Sequence, residues 1–298
     1  MIGEFIKVFF SAYMISSSLP SGDTLRKRIR YLIIKSDKMF VLAAIYGAMN
    51  ILSYVALRNI SAGMFTIFAQ CKILTTAGFS ALLLRRQYSW ARWRALFGLS
   101  FGVLLFSEPI WNDVEKMKVQ EGGSTIVGIA AVLVEVTLSG FASIYFEKVI
   151  KTDTEQVGIW ERNFQLAFAS CPIYFMFIAY ENGGSVGYGG GWSIIAWSLA
   201  ILGAVGGLLV ALSIKYGDSI LKTLATTGAI VLSAGLDHLF MGGPLNAIMM
   251  IAAANVVISI CNYTFDTTPI QETVVSTGQQ IDIKHDERDE EEMELLPK

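Results

Sequence analysis

Apolar residues in this chain come in long unbroken runs, not as a stripe on one face of a helix or as strand alternation. A helix crossing a bilayer needs roughly 20 predominantly apolar residues, since each residue advances ~1.5 Å through a hydrocarbon layer of ~30 Å. Runs of that kind cover 2–19, 39–57, 62–84, 92–111, 125–147, 160–181, 192–214, 219–241 and 244–264, about nine spans. The first is the weakest. It carries Glu4 and Lys7, ends at Ser16-Ser17-Ser18-Leu19-Pro20 and lacks the small-residue cleavage site of a signal peptide. The connections are short. Arg26 to Lys38 is basic, either a loop or an interfacial helix; Trp111 to Ser124 is polar; Asn182 to Gly191 holds six glycines. From about Asp266 the pattern becomes polar and ends in the acidic run Asp286 to Glu294. The expected fold is therefore all-α, a polytopic membrane helix bundle over 1–265, with a disordered acidic tail over 266–298.

Composition agrees and narrows the function. Of 298 residues 53% are hydrophobic and only 16% charged, with a mean hydropathy of +0.52. An average soluble domain is about 25% charged, so too little polar side chain remains to cover one water-soluble core of this size. Lys and Arg total 23 against 25 Asp and Glu, which speaks against a nucleic-acid partner. Cys71, Cys171 and Cys261 are widely spaced inside apolar runs, and His238 and His285 lie far apart, so neither a disulfide framework nor a metal site is expected. No cofactor is expected, and no carboxylate pair or His/Asp cluster converges on a loop as a transferase would need.

The charges also give an orientation. Sorted onto alternating sides of nine spans, Lys and Arg outside the tail divide about 15 against 3. Under the positive-inside rule the basic loops and the tail face the cytosol. Nine spans then leave the N-terminus on the other side, and the expectation is that a preceding span is missing from this form of the chain.

A few charges fall where lipid should forbid them. Lys72 sits near the middle of the 62–84 run, about 15 Å along a helix from either end, too far for its stem to reach the interface. It is either an anion-binding cation in a central cavity or one half of an ion pair, with Glu135 as candidate partner; Gln70 offers a hydrogen bond on an adjacent face. Glu135 itself would repel an anionic substrate and is expected at a helix–helix contact. Glu4 and Lys7, three residues apart, can pair, with a cavity role as the alternative. Asp237 and His238 sit near a span end, where a structural role is expected. Lys215 and Lys222 are either membrane anchors or, for Lys222 in the first turn of the next helix, a charge at a pore mouth. Gly98 with Gly102, and Gly203 with Gly206 and Gly207, have the spacing of close helix packing.

Four stretches in order resemble one family. They are Asn50-x-x-x-Tyr54-x-Ala56-Leu57-x-Asn59 running into Gln70-Cys71-Lys72; Ser139-Gly140-Phe141 through Tyr145-Phe146-Glu147-Lys148; Trp160-Glu161-Arg162-Asn163-Phe164-Gln165; and Lys215-Tyr216-Gly217-Asp218 through Lys222. Together they are similar to the nucleotide-sugar transporters of the UDP-galactose, UDP-N-acetylglucosamine and CMP-sialic acid branch, within the drug/metabolite transporter superfamily. The resemblance runs from about Gly3 to Tyr263 and implies two inverted five-helix repeats, the first family helix being absent here. It implies exchange of a cytosolic nucleotide sugar for a lumenal nucleoside monophosphate, in the Golgi membrane or else the ER or an endosomal or vacuolar membrane. By motif match Lys72 and Lys222 correspond to phosphate-contacting lysines, and Tyr46, Asn50, Ser139 and Asn163 fall where the nucleotide pocket is lined. Phe65 and Ala69 stand where the family usually has tyrosines, and Ala167 where the sialic-acid type has one, which favours UDP-sugars. Two other readings remain: an exporter of another anionic metabolite, and a transport-inactive scaffold. A homodimer is compatible with the sequence, and the acidic tail ends in Leu295-Leu296, which resembles a sorting-adaptor signal.

Overall fold

The computed structural model describes residues 2–19, 24–107, 123–152, 157–181, 193–268 and 271–272. They form helices α1 (Ile2–Ser18), α2 (Leu25–Ile34), α3 (Asp37–Asn59), α4 (Ala62–Ala69), α5 (Lys72–Leu83), α6 (Trp90–Phe106), α7 (Thr125–Thr152), α8 (Ile159–Glu181), α9 (Ile194–Tyr216), α10 (Ser219–Met241) and α11 (Ala247–Thr264). Strands β1 (Arg86–Gln87) and β2 (Gln271–Glu272) pair antiparallel. Every expected span coincides with a helix, the 62–84 run with two half-helices. Among the described residues six segments are long and apolar enough to cross a membrane: Asp37–Asn59, Ala62–Leu83, Thr125–Thr152, Ile194–Tyr216, Ser219–Met241 and Ala247–Thr264. The chain is an all-α multi-pass membrane bundle. The basic 26–38 stretch holds α2. The Trp111–Ser124 connection, most of it, the glycine-rich connection, the acidic run and Leu295-Leu296 lie outside the described residues.

In lipid an orphan backbone donor has no water to turn to, and the helix starts are capped accordingly. The side chains of Ser61, Ser89, Ser193, Asp218 and Asn246 each accept from the backbone N–H three residues on. At its far end α10 stops on Gly242, whose φ of 70° only glycine adopts freely. Gly242 and Gly243 there donate back to the carbonyls of His238 and Asp237, at 3.2 and 3.3 Å. The His238 ring nitrogen lies 2.7 Å from the Gly243 carbonyl, so this pair serves the helix end.

α7 is central, packing on α3, α4 and α5; α1 lies against α8 and α9, and α6 against α11. Large apolar side chains such as Phe101, Leu202 and Ile251 point outward, where hydrocarbon would cover them. Small residues set the closest approaches. A Cβ on Gly98 would stand 2.8 Å from the Ser259 hydroxyl, and one on Gly102 2.8 Å from the Asn255 amide, so α6 and α11 meet there as the spacing predicts. Gly203 and Gly206 depart from the parallel expectation for α9: among the described residues nothing lies within 4 Å of a Cβ on either. A small residue permits close approach but does not supply a partner. On α9 only Gly207 of the three meets a neighbour, the Lys7 side chain.

Past α11 the chain folds back over the start of α6. Ser89 donates to the Asp266 carboxylate, and the Arg92 guanidinium donates to the Asp266 carbonyl at 2.9 Å. Beside them β1 and β2 pair, tying Gln271 and Glu272 to Arg86 and Gln87.

Candidate functional site

The break between α4 and α5 falls at Gln70 and Cys71, directly before Lys72. Gln70 and Cys71 donate to the carbonyls of Ile67 and Phe68, i to i−3, so the helix tightens locally to a 3₁₀ turn. Lys72 thus opens a half-helix in mid-membrane and is half-buried. The next turn is pinned to α7: Thr75 donates to the Val136 carbonyl at 3.1 Å, and a Cβ on Gly140 would meet the Thr75 and Thr76 backbone at 2.9 Å.

Lys222 approaches from α10. Its ammonium lies 3.3 Å from the Ser143 hydroxyl on α7, and Lys72 is near enough for the two positive charges to repel. A cation in the first turn of a helix also opposes the helix dipole. Two carboxylates at the start of α10 offset that: Asp218 accepts from the Leu221 N–H at 2.6 Å and Glu147 from the Ser219 N–H at 2.8 Å. The same Glu147 holds Arg86 at 2.8 Å and Lys151 at 2.9 Å, while Arg86 also faces Asp218 at 3.7 Å. This ionic cluster joins β1, α7 and the start of α10.

Adjacent to the lysines is a cavity of about 290 Å³ between α1, α3, α7, α8 and α9. Tyr46, Asn50 and Asn163 line it together with Glu4, Lys7, Glu135 and Tyr174. Asn50 donates to the Tyr174 hydroxyl at 2.9 Å, and Asn163 to the Ile159 carbonyl at 3.0 Å. Lys7 pairs with Glu4 at 2.6 Å, so their three-residue spacing is realised as a pair inside the cavity. Glu135 connects cavity and lysines, since Lys72 is within electrostatic range of it. A larger cavity, about 530 Å³ and lined by Arg94, Asn255 and Asp266, lies between α6 and α11; Lys72 and Lys222 line neither cavity, and only the smaller one has a residue, Glu135, within electrostatic range of Lys72.

The expected site residues therefore fall in three places. Tyr46, Asn50 and Asn163 share one cavity; Lys72 and Lys222 lie within electrostatic range of each other and line neither of the two cavities; nor do Gln70 and Ser139. Gln70 is buried and donates to the Thr66 carbonyl at 3.1 Å, serving its own helix. Ser139 is half-buried on α7, one turn from Ser143, which is the hydroxyl that meets Lys222. Glu135 adds to the sequence reading: it reaches Ser53 on α3, a helix–helix contact as expected, and it also lines the cavity. Its signal, an acid deep in an apolar run, was visible; Tyr174 carries no comparable one.

An aromatic wall with amide donors beside two cations is suited to a ligand with a flat polar ring and an anionic group. The family model described as nucleotide-sugar transporter matches residues 1–264. This chain belongs to the nucleotide-sugar transporter family. Members of this family are transporters, not enzymes. A UDP-N-acetylglucosamine transporter of Rattus norvegicus is 32% identical over 278 residues, covering 90% of this chain and 85% of that one. A UDP-galactose/UDP-N-acetylglucosamine transporter of Caenorhabditis elegans is 35% identical over 261 residues, 86% of this chain and 69% of that one. A UDP-galactose transporter of Schizosaccharomyces pombe is 34% identical over 232 residues, 77% of this chain and 65% of that one.

Proposed function

We propose that this nucleotide-sugar transporter exchanges a cytosolic UDP-sugar for a lumenal nucleoside monophosphate in the Golgi membrane, with its C-terminus in the cytosol. The observation that carries the reading is that Lys72 and Lys222, from distant helices, come within electrostatic range of each other, and Lys72 of Glu135 in the cavity lined by Tyr46, Asn50 and Asn163. Two ammonium groups that repel one another gain from an anion placed between them, and a phosphate supplies it. Lysines act here as point charges that follow a phosphate while the cavity changes shape. The UDP-sugar cargo is supported by the names of the relatives and by Ala167, buried at the cavity wall where a tyrosine would favour a CMP-sugar. Exchange follows from the same charges, because an empty carrier with two unneutralised lysines reorients poorly. The packing of α1 on α8 and of α6 on α11 is what two inverted repeats rocking around one site would have. The sidedness rests on the division of basic residues.

In proteoliposomes preloaded with UMP, uptake of labelled UDP-N-acetylglucosamine or UDP-galactose is expected to be stimulated over empty vesicles. Lys72→Ala should abolish uptake while leaving the chain folded. Wild-type uptake by Lys72→Ala refutes the phosphate role, and equal uptake into empty and loaded vesicles refutes exchange.

A further inference from the structure

A carrier of phosphate anions gains nothing from a carboxylate in its cavity unless that carboxylate faces a neutral part of the ligand. Glu135 lines the cavity with Tyr46, Asn50 and Asn163. Its Oε2 has no hydrogen-bond partner among the described residues and is closed off from solvent, so a ligand donor reaches it only when the side chain turns towards the cavity its residue lines. Ser53 is within hydrogen-bonding reach of the carboxylate. Its single hydroxyl proton, however, already has the Met49 carbonyl at 3.0 Å. The other cavity acid, Glu4, likewise has an Oε2 without a hydrogen-bond partner among the described residues, but its charge is met by Lys7 at 2.6 Å. Glu135 is thus an under-supplied acceptor placed between the aromatic and amide wall and the Lys72 ammonium.

Buried acceptors are rarely left without donors, so the ligand is the natural source of them. A phosphate offers acceptors and negative charge, and both are wrong for Glu135. A sugar ring offers neighbouring hydroxyl donors, which a carboxylate takes with its two oxygens, as acidic residues do with ribose in dinucleotide-binding folds. A nucleotide with its base against Tyr46, Asn50 and Asn163 and its phosphate on Lys72 and Lys222 puts its ribose beside Glu135.

We propose that Glu135 accepts hydrogen bonds from vicinal hydroxyls of a sugar ring in the bound nucleotide, the ribose foremost, and so makes this carrier select ribonucleotides over deoxyribonucleotides. The inference rests on the nucleotide reading above. It adds a specificity residue that meets the ligand at neither base nor phosphate.

The test measures dissociation constants of UMP, 2′-deoxy-UMP, UDP and UDP-N-acetylglucosamine on the purified full chain, wild type and the variants Glu135→Gln and Glu135→Ala. A hydrogen bond to a charged group predicts that wild type prefers UMP over 2′-deoxy-UMP by about ten- to a hundredfold. In both variants that preference should fall towards one. The 2′-deoxy-UMP affinity itself should hold or improve, because a negative charge near the phosphate has gone. If the variants instead lose only the difference between UDP-N-acetylglucosamine and UDP, the hydroxyls belong to the transferred sugar and the diol assignment stands with that source. If both ratios stay at their wild-type values in the variants, Glu135 is only a counter-charge to Lys72 and the proposal is overturned. A wild type that binds none of the four ligands overturns the nucleotide reading itself. Each result is a ratio within one preparation, so partial misfolding changes the amount of binder and not the answer.

Discussion

Glu147 is the charge on which the basic end of the bundle turns. Its side chain is 0% exposed and that of its partner Arg86 6%, with 2.8 Å between them. Lys151 contacts the same oxygen at 2.9 Å, and the other oxygen accepts the first N–H of α10 at 2.8 Å. Glu147→Gln keeps the size and an acceptor for Ser219 but removes the charge. Breaking one partner of a buried pair costs about 3–5 kcal/mol. Asp218, 3.7 Å from Arg86 and 22% exposed, takes over part of the compensation. The expected cost is therefore at the low end, about 3 kcal/mol. For a chain of this size about 2 °C of melting temperature is lost per kcal/mol, which gives a fall of about 6 °C for thermal unfolding in detergent. Glu147→Ala also strips the acceptor from Ser219 and should fall further. The double variant Arg86→Met with Glu147→Gln should recover most of the loss, since removing both charges leaves neither one stranded. The decisive quantity is the coupling in that cycle. If Arg86→Met lowers the melting temperature by the same amount in wild type and in Glu147→Gln, the two side chains do not hold this end together.

Glycine substitutions should separate backbone from side-chain contacts. Gly140→Ala would press a methyl against the Thr75 and Thr76 backbone at 2.9 Å, which cannot turn aside; a loss of about 1–3 kcal/mol and of transport is expected in melting and uptake assays. Gly47→Ala meets a side chain instead, the Ile173 Cγ2 at 2.7 Å, which a β-branched residue in a helix cannot swing aside; it should also destabilise in the same assays, and Ile173→Ala should relieve it. The Asp266 anchor should be insensitive to mild acid. The Ser89 hydrogen bond, aided by Thr268 and Arg92, holds its carboxyl below the usual 3.8 at about 2. A depressed acid contributes stability above its unfolded value and loses it only as pH falls through its folded value. Hydrogen-exchange protection of the end of α11 should therefore hold from pH 7 down to about 4, and in Ser89→Ala, which gives up the contact that depresses the carboxyl, it should already be lower at pH 7. Failure of the wild type near pH 5 would contradict this.

Helix positions and the stranded Lys72 were legible in the amino-acid order because each depends on local quantities. A run of apolar residues long enough for a bilayer becomes a helix whichever neighbour it meets, and nine runs became helical segments within a few residues of their expected ends. The Glu4–Lys7 pair was legible for the same reason, since three residues on a helix bring side chains together without help from elsewhere. Family membership followed from short motifs in a fixed order. What could not be read was which faces turn inward. In lipid the outer face is as apolar as the inner one, so hydropathy does not mark the inside. Gly98 and Gly203 look alike in sequence, yet one meets Ser259 on another helix and the other meets nothing. Folding alone brought Lys222 near Lys72, put Tyr174 opposite Asn50, set Ser143 against Lys222, and placed Glu135 at the cavity. Each of those contacts joins residues dozens of positions apart, or chooses between residues one turn apart on a helix. Such choices are made by how helices pack against one another, and no single helix carries that information.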